Sequence, residues 1–163
     1  YRKTVDFGFA MEGGDVSNAG YTSSKIKKIL KQLNLPNITI KRAMVALFES
    51  EVNVIGHSFG GTLAVDIEKD RLHILVTDTG PGIEDVDLAM SEGYSTATKE
   101  IQEMGFGAGM GLPNIQKNTD YLDIRSRAGD HTEIEMLIQF DSNSVSDSEP
   151  AADPEAESED SAQ

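Results

Sequence analysis

Residues 49–53, with the sequence ESEVN, place a carboxylate and a carboxamide four positions apart. Positions i and i+4 of a helix lie on one face, so Glu49 and Asn53 would be neighbours. A carboxylate in such a place can deprotonate or orient a nucleophile. The amide oxygen can help to hold Mg²⁺, an ion that accepts few protein oxygens and keeps its waters. The same two residue types also occur on helix faces that are simply solvated.

Asp78 lies at the end of an apolar segment, residues 72–77, and is followed by Gly80, Pro81 and Gly82. A carboxylate at a strand end, with glycines that allow close approach, can accept a hydrogen bond from an exocyclic amine such as that of adenine. A Pro/Gly turn after a strand gives the same residues without any site. This segment alone leaves both interpretations open.

Alternate glycines run through residues 105–111 and lead into a short predicted helix. Such glycines leave backbone amides free to approach an anion, and the helix adds its positive end. The pattern predicts a phosphate cradle, with a flexible hinge as the alternative. It is not a dinucleotide fingerprint, because Met110 and Leu112 stand where glycine would be required, nor a Walker loop, because no Gly-Lys pair occurs. The candidate phosphate-binding residues are Gly105, Gly107, Ala108, Gly109, Met110, Gly111 and Leu112.

Residues 56–60 match the GxSxG pattern of a hydrolase nucleophile elbow, and Ser58, Asp120 and His131 follow the hydrolase chain order. An elbow needs a buried strand that enters it and a helix that leaves it. Here a helical pattern enters and an alternating, strand-like pattern leaves. A serine hydrolase that uses Ser58 is therefore kept only as an alternative.

The elements that would position these residues alternate between strand and helix periods. Residues 80–109 hold neither period for long, which is typical of a functional or mobile loop. The fold class predicted is α+β, with a mixed sheet covered by helices on one face. The second helix carries an apolar stripe formed by Met44, Phe48, Val52 and Ile55. Strands are predicted over residues 4–10, 63–68, 72–77, 121–126 and 133–140, and helices over 16–33, from about 38 to the glycines at 60 and 61, and from about 109.

Composition excludes several function classes. The 163 residues include 14 Lys and Arg against 28 Asp and Glu, a net charge of −14 that opposes nucleic-acid binding. The absence of cysteine excludes disulfides, thiol catalysis and cysteine-ligated metals. No apolar run approaches the length of a membrane-spanning helix, so we expect a cytoplasmic protein that does not contact a membrane.

Charge also divides the chain. Residues 141–163 contain eight acidic side chains and no basic one, so the other 140 residues carry −14 + 8 = −6. Such a segment cannot bury enough apolar surface to offset the entropy of ordering. We predict one domain over residues 1–140 and a disordered acidic tail over residues 141–163, whose simplest role is solubility.

Taken together and in order, the three motifs resemble those of the GHKL, or Bergerat-fold, ATPase superfamily. The segment 49–53 resembles its asparagine box, 78–82 its first glycine box and 107–112 its second. With His57, Gly60 and Gly61 after the first motif, the chain is most similar to the anti-sigma-factor type of serine/threonine protein kinase. The resemblance implies a two-layer α/β sandwich with a mobile ATP lid between the two glycine boxes.

The resemblance also implies roles for the residues. Glu49 would be the general base and Asn53 the ligand of Mg²⁺, while Asp78 would meet the adenine amine with Thr132 beside it. The residues assigned to ATP also include His57, Gly80, Gly82 and the second glycine box. The lid, residues 95–104, contains Lys99 but no arginine, so Lys99 is the candidate for the terminal phosphate.

The activity implied is transfer of the terminal phosphate of ATP, with Mg²⁺, to a Ser or Thr of a partner protein, an anti-sigma-factor antagonist. Two alternatives remain within the resemblance. One is a nucleotide-dependent switch that holds a partner such as a sigma factor, and the other is the detached ATPase domain of a histidine kinase. A homodimer is compatible with each of them.

Overall fold

The computed structural model of the protein describes residues 5–93, Lys99 and residues 110–140. The predictions made for the lid, apart from Lys99, for residues 105–109 and for the acidic tail lie outside these residues. The strands are β1 (Val5–Glu12), β2 (Gly60–Ile67), β3 (Arg71–Asp78), β4 (Tyr121–Arg125) and β5 (Thr132–Gln139). The helices are α1 (Tyr21–Gln32), α2 (Asn37–His57), α3 (Val86–Ala89) and α4 (Gly111–Lys117), with a 3-10 turn at Val16–Asn18.

The described strands form one sheet in the order β1-β2-β3-β5-β4, and every pairing in it is antiparallel. The α+β class is thus confirmed, but the sheet is not mixed. The short turns between β2 and β3 and between β4 and β5 require antiparallel pairs. Long segments of the chain lie between β1 and β2 and between β3 and β5. The sequence therefore does not indicate the relative direction of the strands in these two pairs.

The first helix begins later than its apolar period suggested. Val16–Asn18 forms a 3-10 turn, and Gly20 has a φ of 89°, a left-handed conformation that glycine adopts without a steric penalty. This conformation separates the turn from α1, which starts at Tyr21. The chain therefore enters α1 through a glycine that offers no side chain to cap the helix.

The core lies between one face of the sheet and the helices. Alternate side chains of β2 and β3 are buried there, among them Leu63, Val65, Leu72 and Ile74. The predicted stripe on α2 is buried only in part. Its Val52 and Ile55 are buried and its Met44 packs against the core, whereas its Phe48 is 40% exposed. Small and medium side chains at positions three and four apart form the rest of the buried face. The buried α2 residues are Thr39, Ile40, Ala43, Ala46, Leu47, Ser50, Glu51, Val52, Val54 and Ile55.

The helices range in length from the four residues of α3 to the 21 residues of α2. In the part of the chain that the structure describes, none of them could cross a membrane.

Candidate functional site

Glu49 and Asn53 lie one turn apart on α2 and face the start of α4. A Cβ added at Gly111, the first residue of α4, would lie 3.1 Å from Asn53 Oδ1 and 3.2 Å from Glu49 Oε2. Glycine therefore lets the backbone of the second glycine motif come directly against both side chains. The structure thus brings together two motifs that are almost 60 residues apart in the chain.

Asn114 was not predicted as a site residue. It lies in the first turn of α4, and its Nδ2 donates a hydrogen bond to Glu49 Oε1 at 3.2 Å. The bond holds one oxygen of the half-buried Glu49 carboxylate and fixes its orientation. In the sequence, Asn114 is recognisable only as an amide side chain three residues after Gly111, and it belongs to no motif.

Asp78 ends β3 and is only partly exposed. Its Oδ1 accepts a hydrogen bond from the backbone N–H of Gly80 at 2.8 Å, and the backbone N–H of Thr132 also donates to the carboxylate. Burial raises the pKa of Asp78 above its usual value, and these two hydrogen bonds oppose that rise. The result is a carboxylate with a fixed orientation that remains in contact with solvent.

His57, the last residue of α2, lies close enough to Asp78 for their charges to interact. Burial lowers the pKa of His57, and the neighbouring Asp78 carboxylate opposes that effect. The structure thereby brings His57, one turn after the first motif, close to the start of the second motif.

Thr132 lies directly opposite Asp78 in the β3–β5 register. Its Oγ1 is 2.7 Å from Ser126 Oγ, and that oxygen accepts a hydrogen bond from the backbone N–H of Ile83 at 2.8 Å. Ser126 therefore ties the segment after Asp78 to the end of β4. Ser126 belongs to none of the motifs, so nothing in the sequence selects it as a site residue.

Gly80 and Gly82 pack so closely against neighbouring residues that a side chain at either position would collide with them. A Cβ at Gly80 would lie 2.7 Å from Ser58 Cβ, and one at Gly82, where φ is 75°, would lie 2.7 Å from the carbonyl oxygen of Asp130. Neither position has room for a side chain. The two glycines therefore keep the loop after Asp78 close to its neighbours, which holds the Asp78 carboxylate in place.

The second glycine motif is described only from Met110 onward. Met110, Gly111 and Leu112 form the entry to α4, and all three are partly exposed. Gly105, Gly107, Ala108 and Gly109 lie outside the described residues. Lys99 is described as an exposed residue, and its assignment to the terminal phosphate stays a prediction.

The three residues of the hydrolase alternative do not form a triad. Ser58 Oγ donates to the carbonyl oxygen of Val54, at 2.8 Å, at the end of α2. Asp120 accepts from the backbone N–H of Gln139, at one end of β5, whereas His131 directly precedes β5 at its other end. An eight-residue strand separates them by about 25 Å. The hydrolase interpretation is wrong because the fold keeps its acid and its base apart.

Comparison with known proteins shows the family to which the chain belongs. The sequence pattern of a family described as histidine kinase-, DNA gyrase B- and HSP90-like ATPase matches residues 39–142. The chain belongs to this ATPase family. The resemblance seen in the three motifs is thereby confirmed.

Named relatives of this ATPase domain are similar over most of their length. The chain is 29% identical to the serine/threonine-protein kinase RsbT of Bacillus subtilis (strain 168) over 115 residues, which are 68% of this chain and 80% of RsbT. It is 28% identical to an anti-sigma F factor of Caldanaerobacter subterraneus subsp. tengcongensis over 124 residues, 73% of this chain and 83% of that protein. It is 27% identical to an anti-sigma F factor of Thermoanaerobacter sp. (strain X514) over 124 residues, which are again 73% of this chain and 83% of that protein.

The ATPase match begins at residue 39, inside the first turn of α2. It includes α2 from its third residue onward, all later elements that the structure describes and every candidate site residue. Strand β1 and helix α1 precede it, although both pack on the matched region in the same core.

Proposed function

We propose that this protein is a serine/threonine protein kinase of the anti-sigma-factor type, which transfers the terminal phosphate of ATP to a hydroxyl of a partner regulatory protein. The observation that supports it best is the contact of Gly111 with Glu49 and Asn53. It places a carboxylate, suited to act as a general base, beside the segment proposed to hold phosphate. The name of one relative, the serine/threonine-protein kinase RsbT, supports the same activity.

ATP would bind between α2, the end of β3 and the start of α4. Asp78 would accept a hydrogen bond from the adenine amine, with Thr132, Gly80 and Gly82 holding the carboxylate in place. His57 lies next to this end of the site. The backbone amides at the entry to α4, together with the glycines before it and Lys99, would hold the phosphates.

The donor set fits Mg²⁺. Within the described residues no group of three or more His, Asp or Glu side chains is arranged to hold a metal ion. The amide oxygen of Asn53 would therefore share the ion with oxygens of the nucleotide and of water, as Mg²⁺ commonly binds. When bound, the ion would neutralise charge on the phosphates.

Glu49 would act on the acceptor. Asn114 holds Glu49 Oε1, and the carboxylate would take the proton of the acceptor hydroxyl as its oxygen attacks the terminal phosphorus. The phosphorus forms a bond to that oxygen while its bond to ADP breaks. The products are a phosphoserine or phosphothreonine, ADP and a proton carried first by Glu49.

The test uses the full chain with ATP labelled on its terminal phosphate and a partner isolated through nucleotide-dependent binding. We expect Glu49→Gln to lower phosphate transfer by about 10²–10⁴-fold while the ATP affinity stays unchanged. Glu84→Gln, an exposed change outside the site, is the matched control and should transfer normally. Normal transfer by Glu49→Gln would contradict the role of Glu49.

A second function is supported by the relatives that are named anti-sigma F factors. In that case the protein holds a sigma factor in a nucleotide-dependent complex and transfers no phosphate. Retained partner binding without any transfer by the unmodified chain would favour this switch. A cytoplasmic location and a homodimer stay predictions under either function.

A further inference from the structure

Glu51 is a buried carboxylate that the proposed mechanism does not use. It lies on α2 between Glu49 and Asn53, but only 1% of its surface is exposed. Its position two residues from Glu49 points it towards α1 instead of the site. Burial of a carboxylate is unfavourable unless hydrogen bonds satisfy both of its oxygens.

Three donors at the amino terminus of α1 satisfy Glu51. Its Oε1 accepts from the backbone N–H of Thr22 at 3.0 Å. Its Oε2 accepts from the backbone N–H of Ser23 at 3.0 Å and from Ser23 Oγ at 2.5 Å. The residue that precedes α1, Gly20, has no side chain to cap the helix. A side chain of α2 thus replaces the local cap and attaches the two helices to each other.

This attachment also shapes the surroundings of Glu49. An open groove runs between the two helices, lined by Ser23 and Ser24 of α1 and by Phe48 and Glu49 of α2. Ser23 therefore both bonds to Glu51 and faces the groove that contains the proposed base. Because Gly111 and Asn114 meet Glu49 from α4, the groove is a second approach to the same carboxylate.

We propose that Glu51 is a positioning residue for phosphate transfer: it fixes the first turn of α1 against α2 so that the acceptor segment meets Glu49 in a constant geometry. The inference rests on the proposed kinase function. Glu51 acts through α1 and touches neither the nucleotide nor the acceptor. Its loss should therefore affect the acceptor and leave ATP binding unchanged.

Glu51→Gln is the decisive variant. The Gln side chain fits the same space, but its NH₂ group cannot accept a hydrogen bond. In either orientation of the amide, at least one of the Thr22 and Ser23 backbone donors loses its acceptor. We expect kcat/KM for the acceptor to fall about 10- to 100-fold, since small misplacements of reacting groups have effects of this size. Ser23→Ala, which keeps both backbone bonds, should have a smaller effect.

Ile26→Val serves as the control for a purely structural role. It weakens the packing of α1 in the core without touching the cap. If Glu51→Gln lowers ATP affinity and transfer in parallel, as general destabilisation would, the proposal is wrong. It is also wrong if Glu51→Gln transfers phosphate with a normal KM and kcat.

A measurement that does not need transfer separates this inference from the proposed function. In the unmodified chain, the Thr22 and Ser23 amide protons should exchange slowly with solvent and show the downfield NMR shifts of bonds to a carboxylate. Glu51→Gln should remove both features from at least one of these two amides, and affinity for the partner should fall while affinity for ATP is kept. If the unmodified chain transfers no phosphate, the kinase proposal fails. Unchanged amides and partner affinity in Glu51→Gln would overturn the role of Glu51.

Discussion

At the scale of single residues, Asp78 and His57 show how one environment shifts two groups in opposite directions. Burial disfavours the charged form of each, so the pKa of Asp78 rises and that of His57 falls. Their mutual attraction opposes both shifts. Partial burial of the Asp78 carboxylate is energetically unfavourable for the folded state. A charged group retained under that cost is typical of a binding site.

Asp78→Asn should weaken ATP binding by about 1–3 kcal/mol. The adenine amine would lose a charged acceptor and would meet an amide that has only one accepting oxygen. GTP has a carbonyl at that position and should bind much more weakly than ATP to the unmodified chain. Calorimetric titration measures both affinities. Asp70→Asn, in the turn between β2 and β3, is the control. Equal affinities for ATP and GTP would contradict the role of Asp78.

The lowered pKa of His57 predicts a pH dependence of stability. A histidine whose pKa is lower in the folded state stabilises the fold above its unfolded pKa of about 6.5, and this contribution is lost as pH falls through the folded pKa. The free energy of unfolding of the unmodified protein should therefore decline relative to that of His57→Gln as pH falls below about 6.5. Urea unfolding at several pH values tests this. Parallel pH profiles for the two proteins would rule it out.

At the scale of elements, the site depends on how closely α4 approaches α2. The approach is possible because Gly111 presents backbone to Glu49 and Asn53. Asn114, in the same helical turn, then bonds to Glu49. One short helix thus supplies both the close backbone contact and the hydrogen bond that orients the proposed base.

Gly111→Ala should disturb this contact, since the added Cβ would lie 3.1–3.2 Å from oxygens of Asn53 and Glu49. Either those side chains or α4 must move by a few tenths of an ångström. We expect weaker Mg²⁺-dependent ATP binding and slower transfer, with little loss of stability. Gly8→Ala is a matched control, because its Cβ would make an ordinary contact at 3.7 Å with the carbonyl oxygen of Leu63. Unchanged ATP binding by Gly111→Ala would show that the close approach is not needed.

At the scale of the whole molecule, the net negative charge is concentrated towards one end of the chain, beyond the residues that form the core. The buried apolar residues lie between Met11 and Ile138, within a sheet of five strands and the helices on its inner face. Eight of the 28 acidic side chains lie beyond residue 140. Residues 1–140 are therefore less negative than the complete sequence.

Deletion of residues 141–163 should leave the free energy of unfolding unchanged within about 0.5 kcal/mol, because Val145 is the only large apolar side chain that this segment could bury. The net charge falls from −14 to −6, so solubility should decrease. Chemical denaturation and solubility measurements on both lengths of chain test the two effects. A clear loss of stability would show that the acidic segment contributes to the fold.

Local features of this protein follow directly from its sequence. The i, i+4 spacing of Glu49 and Asn53 puts them on one helix face wherever that helix lies, and the alternation of β2 and β3 decides which side chains face inward. The three motifs in their order along the chain were enough to identify the superfamily, because each motif forms a short local structure at a fixed place in the fold.

Contacts between segments that are far apart in the sequence were determined only by the tertiary structure. Asn114 reaches Glu49 across 65 positions and Glu51 reaches Thr22 across 29, and no local period encodes either contact. The same holds for the direction of β3 against β5, which puts Thr132 beside Asp78, and for the separation of His131 from Asp120. Spacing along the chain determines which side chains share a face of a helix or strand. Which faces meet is determined only when the whole core packs.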